Sequence, residues 1–198
     1  MPGVERRMLD RIGGEIARAT TIVRYAANSH FSEHCHTGGE EFIVLEGIFQ
    51  DENGDYPAGT YVRNPPTTNH SPRSDQGCTI FVKLWQFDMQ DRKQFYLTML
   101  AASATTKGAI KTAILHQDGY ETVKYIEVQA GANLTLDASG GVEILVLSGT
   151  IAESGDVLRQ GSWLRCPSQV KITSIAGNHG AKVWVKLGHL THAKAPIN

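Results

Sequence analysis

His34 and His36 stand two residues apart, so on an extended strand both imidazoles leave the same face and can grip one ion. Glu40 follows Thr37, Gly38 and Gly39, a glycine pair suited to a tight turn that carries the next strand back beside the first and adds a carboxylate to the two imidazoles. His70, after the run PPTTN, can supply a third nitrogen from a neighbouring strand if the chain closes into a barrel. Neutral imidazole suits zinc, iron, nickel and copper, one carboxylate adds a hard oxygen, and calcium or magnesium fits poorly. Zinc is the expected ion, with iron, nickel and manganese as alternatives. An isolated His-x-His is as readily a pair of exposed turn residues; the full set of His34, His36, Glu40 and His70 is what points to a metal. No Ser/His/Asp pattern, phosphate-cradling loop or dinucleotide fingerprint competes with it, and no catalytic residue is assigned.

The elements that must position these residues read as strands. TIVRYA, EFIVLEGIF, TYVRNP, TIFVKLWQF, VKYIEVQ, VEILVLSGTI and AKVWVKL mix β-branched and aromatic residues and are separated by Gly, Pro, Asn and Asp. Helical periodicity is weak except over Asp91 to Ala104, where QFYLTMLAA offers an apolar stripe, and near Val4 to Ala17. An internal repeat organises the whole. Glu40 to Phe49 returns as Val142 to Ile151, and Gly59 to Pro66 returns as Gly161 to Ser168 at the same offset. Phe81 to Phe87 then echoes Val183 to Leu190 after a slip of one residue. Gly47/Gly149, Gly59/Gly161, Arg63/Arg165 and Pro65/Pro167 coincide, which unrelated apolar strands would not produce. In the second copy Leu136, Ala138, Val142 and Ile172 stand where His34, His36, Glu40 and His70 stand in the first. Asp137, Glu143, His179, His189 and His192 do not restore the spacing, so one metal site is expected.

With 198 residues, 41% hydrophobic and 20% charged, the chain has the composition of an ordinary globular protein with room for one large β domain or two small barrels. A net charge of -1 gives no basic surface for nucleic acid. The longest apolar runs are strand-sized, far short of the ~20 residues that span a bilayer, and the charged N-terminus lacks the apolar run of a secretory signal. Three widely spaced cysteines do not make a disulfide framework. A cytoplasmic protein without nucleic-acid or membrane partners is expected.

HCHTGGEEFIVLEG resembles the first motif of the cupins, in which HxH is followed by three or four residues, Glu, six residues and Gly; Glu40 and Gly47 satisfy that spacing. GTYVRNPPTTNH resembles the second motif, with Thr67 where a Gly usually falls and Ser74 where an Asn often follows. These departures touch turn geometry and not ligands. More narrowly, residues 20 to 87 resemble the cupin domain of the ChrR family of anti-sigma factors. By that resemblance, His34, His36, Glu40 and His70 correspond to the family's zinc ligands. The family's separate N-terminal zinc domain, which holds the sigma factor, has histidine and CxxC ligands that are absent here. A sigma-factor partner is therefore not supported, and what carries over is the sensor or ligand module.

The resulting expectation is all-β: two tandem cupin (jelly-roll-like) β-barrels with a short helical connection. Residues 1–90 form the metal-binding barrel, 91–108 the connection and 109–198 a degenerate barrel. A single-site metal protein with a sensor, regulatory or small-ligand-binding role comes first, and an iron dioxygenase of small diketones or hydroxyketones second; a Lewis-acid isomerase or hydrolase is a weaker third. Whether it is an enzyme stays open. Cys35, between two ligands, is expected to be packed on the opposite face of its strand, although a thiol there could respond to oxidants. Cys78 reads as a small buried hydrophobe. Glu41, Arg63, Tyr61 and Trp85 could line the barrel mouth or simply be surface charge and packing. Cupins often dimerise through exchange or edge pairing of N-terminal strands, so a homodimer is expected.

Overall fold

Phe42 and Val44 pack into one apolar core with Val23, Phe49, Tyr56, Val62, Ile80 and Val82, whereas Glu41 and Ile43, one residue out of phase, are buried outside that cluster. This period of two is the strand signature, and it runs through the structure, a computed structural model that describes residues 3–196. The chain divides into two units, Met1–Leu100 with Lys194–Asn198, and Ala101–Ala193.

The first unit contains β1 (Val4–Gly13), β2 (Ala17–Tyr25), β3 (Ser29–His30), β4 (His34–Cys35), β5 (Glu40–Asp51), β6 (Gly54–Pro57), β7 (Thr60–Asn64), β8 (Asn69–His70), β9 (Arg73–Ser74), β10 (Cys78–Leu84) and β11 (Phe95–Thr98). The main sheet runs β1-β2-β10-β5-β7-β11, and β4 pairs with β8. Strand β5 serves two sheets. Its first half, Glu40 to Gly47, pairs with β10 and β7; its second half, Ile48 to Asp51, pairs with β6 and β9. The strand bends at Gly47, whose φ is 71° and where an added Cβ would overlap the Gly77 carbonyl oxygen and lie 2.9 Å from Cys78 Cα. Only glycine fits that crossing.

The second unit repeats the plan with β12 (Ala104–Lys107), β13 (Ile110–Gln117), β14 (Thr122–Val128), β15 (Asn133–Ala138), β16 (Val142–Glu153), β17 (Asp156–Arg159), β18 (Trp163–Cys166) and β19 (Val170–Leu187), in the order β12-β13-β14-β19-β16-β17. Gly149 again has φ 71°, with an added Cβ overlapping the Gly180 carbonyl. The correspondence is residue by residue: His34 pairs with His70 in the first unit, Leu136 with Ile172 in the second. Cys78 faces Gly47 while Ala181 faces Gly149, so the one-residue slip is an insertion between these pairings. Leu136, Ala138, Val142 and Ile172 lie inside the second unit's core, which is filled by aliphatic side chains.

The helical expectation gives way in two places. Val4 to Gly13 is a strand laid along β2, and of Asp91 to Ala104 only Met99–Ala101 turns, as one 3-10 turn after strand β11. Phe95 to Thr98 alternate between half-buried and exposed because they extend the sheet beside β7. An available strand edge decided against the weak apolar stripe. Among the described residues no helix is long and apolar enough to cross a membrane.

Candidate metal centre

The short pairing of β4 with β8 sets His34 directly opposite His70, and the ladder continues as His36 N–H donates to the Thr68 carbonyl at 2.8 Å. A turn then closes with Gly39 N–H on the His36 carbonyl at 3.3 Å and delivers Glu40 at the start of β5. The four predicted side chains thereby meet: one donor atom from each of His34, His36, Glu40 and His70 lies within 4.8 Å of all the others. His36, Glu40 and His70 are buried and His34 is exposed.

What stands behind each ring fixes which nitrogen faces inward. Thr68 Oγ1 donates its hydrogen to the Pro65 carbonyl at 2.8 Å, so at 3.0 Å from His36 Nδ1 it must accept. His70 Nδ1 lies 3.2 Å from Asp51 Oδ2, and His34 Nδ1 lies 3.3 Å from the Ser32 carbonyl, both acceptors. Each Nδ1 is therefore placed to donate, and when neutral the His36 and His70 rings turn an unprotonated Nε2 to the centre. There His36 Nε2 and His70 Nε2 are 3.2 Å apart, and Glu40 Oε2 is 3.3 Å from the first and 3.5 Å from the second. Glu40 Oε2 is buried without a hydrogen-bond partner. Lone pairs converging in a buried space repel one another unless a cation lies among them, so the residues fit a metal ion.

The two buried rings are shifted in opposite directions. Burial holds the His36 pKa below its ordinary value, with the neighbouring imidazoles pushing the same way against Glu40. Burial also pulls His70 down, but the Asp51 hydrogen bond and the Glu40 and Asp51 charges outweigh it, leaving His70 raised. Asp51 itself, though buried, is held low by hydrogen bonds from His70, the Asn53 amide and Tyr56.

Beside His34, His36 and Glu40 opens a pocket of ≈ 460 Å³. Its walls are largely apolar: Val23, Ile80, Val82 and Leu84 along the sheet, then Tyr25, Phe31 and Trp85. Tyr25 and Phe31 meet edge to face at 5.2 Å. Such a volume is in the usual range for small-molecule sites.

A family model described as ChrR Cupin-like domain matches residues 1–88 and again residues 100–191. The chain belongs to this family. No curated protein matches it. Among solved structures, it resembles a candidate dioxygenase from Nostoc punctiforme at 12% identity and TM-score 0.74, covering 98% of this chain and 84% of that one. AerE from Microcystis aeruginosa shares 14% identity at TM-score 0.70, over 94% and 92% of the two chains. Oxalate decarboxylase from Bacillus subtilis shares 12% identity at TM-score 0.64, over 86% and 67%. At these identities the likeness is one of fold: the cupin jelly roll, here in two copies.

Several sequence expectations change within this cupin. Cys35 is exposed and lines the pocket instead of packing behind its strand; β4 is only two residues long and pairs with β8 in a two-stranded sheet. Cys78 is buried in the core, as expected. Trp85 lines the pocket, but Glu41, Tyr61 and Arg63 do not. They are buried together, with Tyr61 Oη donating to Glu41 at 2.7 Å and Arg63 reaching Glu41 at 3.5 Å and Asp91 at 2.9 Å. The second barrel keeps the equivalent Glu143–Arg165 pair at 3.0 Å, which explains why Arg63 and Arg165 coincide in the repeat. Asp51 and Thr68 were not legible in advance: Thr68 sits inside the second motif, but Asp51 reaches His70 only because β5 bends.

Proposed function

We propose that the first barrel is a metal-dependent small-ligand module in which His34, His36, Glu40 and His70 hold one divalent transition ion. Zinc comes first and iron, nickel or manganese after it. The reading rests on the convergence of one donor atom from each of His34, His36, Glu40 and His70, with the Nε2 atoms of His36 and His70 and a partnerless Glu40 oxygen meeting in a buried space. Bound there, an ion supplies Lewis acidity or, if iron, redox chemistry. The chain's own residues do the rest: Thr68 and Asp51 orient the rings, and the apolar wall excludes water from a small molecule entering the pocket. A sensing or regulatory role follows if ligand capture is the end point. One observation favours an iron dioxygenase as the second reading. The aromatic, apolar pocket stands directly beside the metal residues, as a site that handles small diketones or hydroxyketones would need, and a candidate dioxygenase shares the fold. We further propose a cytoplasmic homodimer, paired through β1, the outer strand of its sheet.

Elemental analysis of protein purified without added metal, with His34→Ala and His70→Ala alongside, tests the centre. Near one equivalent of zinc, lost in both variants, supports the ligand-binding module. Iron with oxygen consumption on diketones supports the dioxygenase. No metal under any loading condition overturns both.

A further inference from the structure

Trp85 has φ 58°, in the left-handed region that large side chains avoid. The duplicated barrel provides the comparison. Its residue at the same place is Gly188, φ 89°, and the same backbone bond holds both: Trp85 N–H donates to the Gly39 carbonyl at 3.1 Å, Gly188 N–H to the Gly141 carbonyl at 3.0 Å. The turn thus calls for glycine, and the barrel without metal residues has one. The barrel with them carries an indole instead and bears the strain, and such strain collects at ligand-binding sites.

The indole's surroundings show what the strain achieves. The Trp85 ring occupies the space beside Gly38, where any Cβ would overlap its Cδ2, Cγ and Cε3. In the second barrel Gly140 is instead crowded by backbone, with an added Cβ 2.6 Å from Gly188 Cα. A side chain has therefore been set into a space that the fold itself does not need filled, against the His36–Glu40 turn. Its ring lines the same pocket as His34, His36 and Glu40, with Leu84 next to it and Tyr25 and Phe31 also in the lining.

Resting on the reading of the centre given above, we propose that Trp85 is the specificity-determining wall of this pocket, selecting ligands that present a flat, unsaturated ring beside their metal-binding oxygens. An indole face recognises such a ring by offset or edge contact and gains little from a short aliphatic group.

Acetohydroxamate and benzohydroxamate share one chelating head and differ by the ring, so their ratio of affinities isolates the wall. Calorimetric titration of both into zinc-loaded protein is expected to show benzohydroxamate preferred. Trp85→Gly, which installs the residue the sister barrel already uses, is expected to cut that preference roughly five- to tenfold, the size of an aromatic contact, with zinc stoichiometry unchanged. Trp85→Phe is expected to keep most of it. A zinc-loaded Trp85→Gly protein with the wild-type preference overturns this inference alone. A wild-type chain that takes up no zinc or other metal overturns the centre, and this inference with it.

Discussion

Asp51 meets the His70 imidazole from behind at 3.2 Å, and Thr68 does the same for His36 at 3.0 Å. An amide in place of the Asp51 carboxylate removes the charge that makes the His70 Nε2 basic. Asp51→Asn is expected to weaken zinc binding about 10- to 100-fold, read by competition with a chromophoric chelator; an unchanged affinity would remove the role. Thr67 makes a second test at this scale. The cupin motif usually has glycine there, and Thr67 indeed has φ 80°, a poor conformation for a β-branched residue. The strain is worth about 1–2 kcal/mol and glycine's extra chain entropy about 0.5–1 kcal/mol. Thr67→Gly is therefore expected to stabilise the protein by up to about 1 kcal/mol in denaturant unfolding, and a loss of stability would refute the strain. The convergence of the four residues was legible because strand geometry turns spacing into direction. The residues behind them were not, since Asp51 stands eleven positions after Glu40 and nothing local announces their meeting.

Strand β5 produces that meeting. It starts with Glu40 at the centre, crosses to the second sheet at Gly47 and ends with Asp51 against His70. A methyl group at Gly47 would collide with backbone at Gly77 and Cys78, which cannot move aside as a side chain would. Gly47→Ala is expected to cost on the order of 3 kcal/mol and to lower metal uptake through Asp51 and His70, seen by denaturant unfolding and metal analysis together. Gly149→Ala, at the matching bend, is expected to cost as much stability without touching the metal. Strand β11 shows the limit of reading elements from periodicity. Its short apolar run fits either pattern, and the free edge of β7 made the choice. The repeat was a stronger guide, because it fixed register as well as existence: Leu136 opposite Ile172 was set once His34 was opposite His70.

For the whole molecule, the centre couples stability to pH through two histidines of opposite sign. His70 is raised above the ordinary value of about 6.5, so without metal its protonated pair with Asp51 adds stability below that pH, which is lost as pH rises through the raised value. His36 is lowered, so its contribution is present above about 6.5 and lost as pH falls. The two windows adjoin at about pH 6.5, so on their account the metal-free protein is expected to be most stable near that pH and to lose stability on either side. A bound ion changes the balance, because it needs both Nε2 atoms unprotonated, and at a thousandfold excess over Kd it adds about 4 kcal/mol. Acidification protonates His70 first and removes that gain. Calorimetric melting with and without zinc is expected to show a wide Tm gap near pH 7.5 that closes toward about pH 5. Hydrogen exchange under the same conditions is expected to place the zinc-dependent protection in β4, β5 and β8, with β15, β16 and β19 unaffected, because an aliphatic core takes the place of the centre in the second barrel. A Tm gap independent of pH, or protection gained equally by both barrels, would show that the ion binds elsewhere.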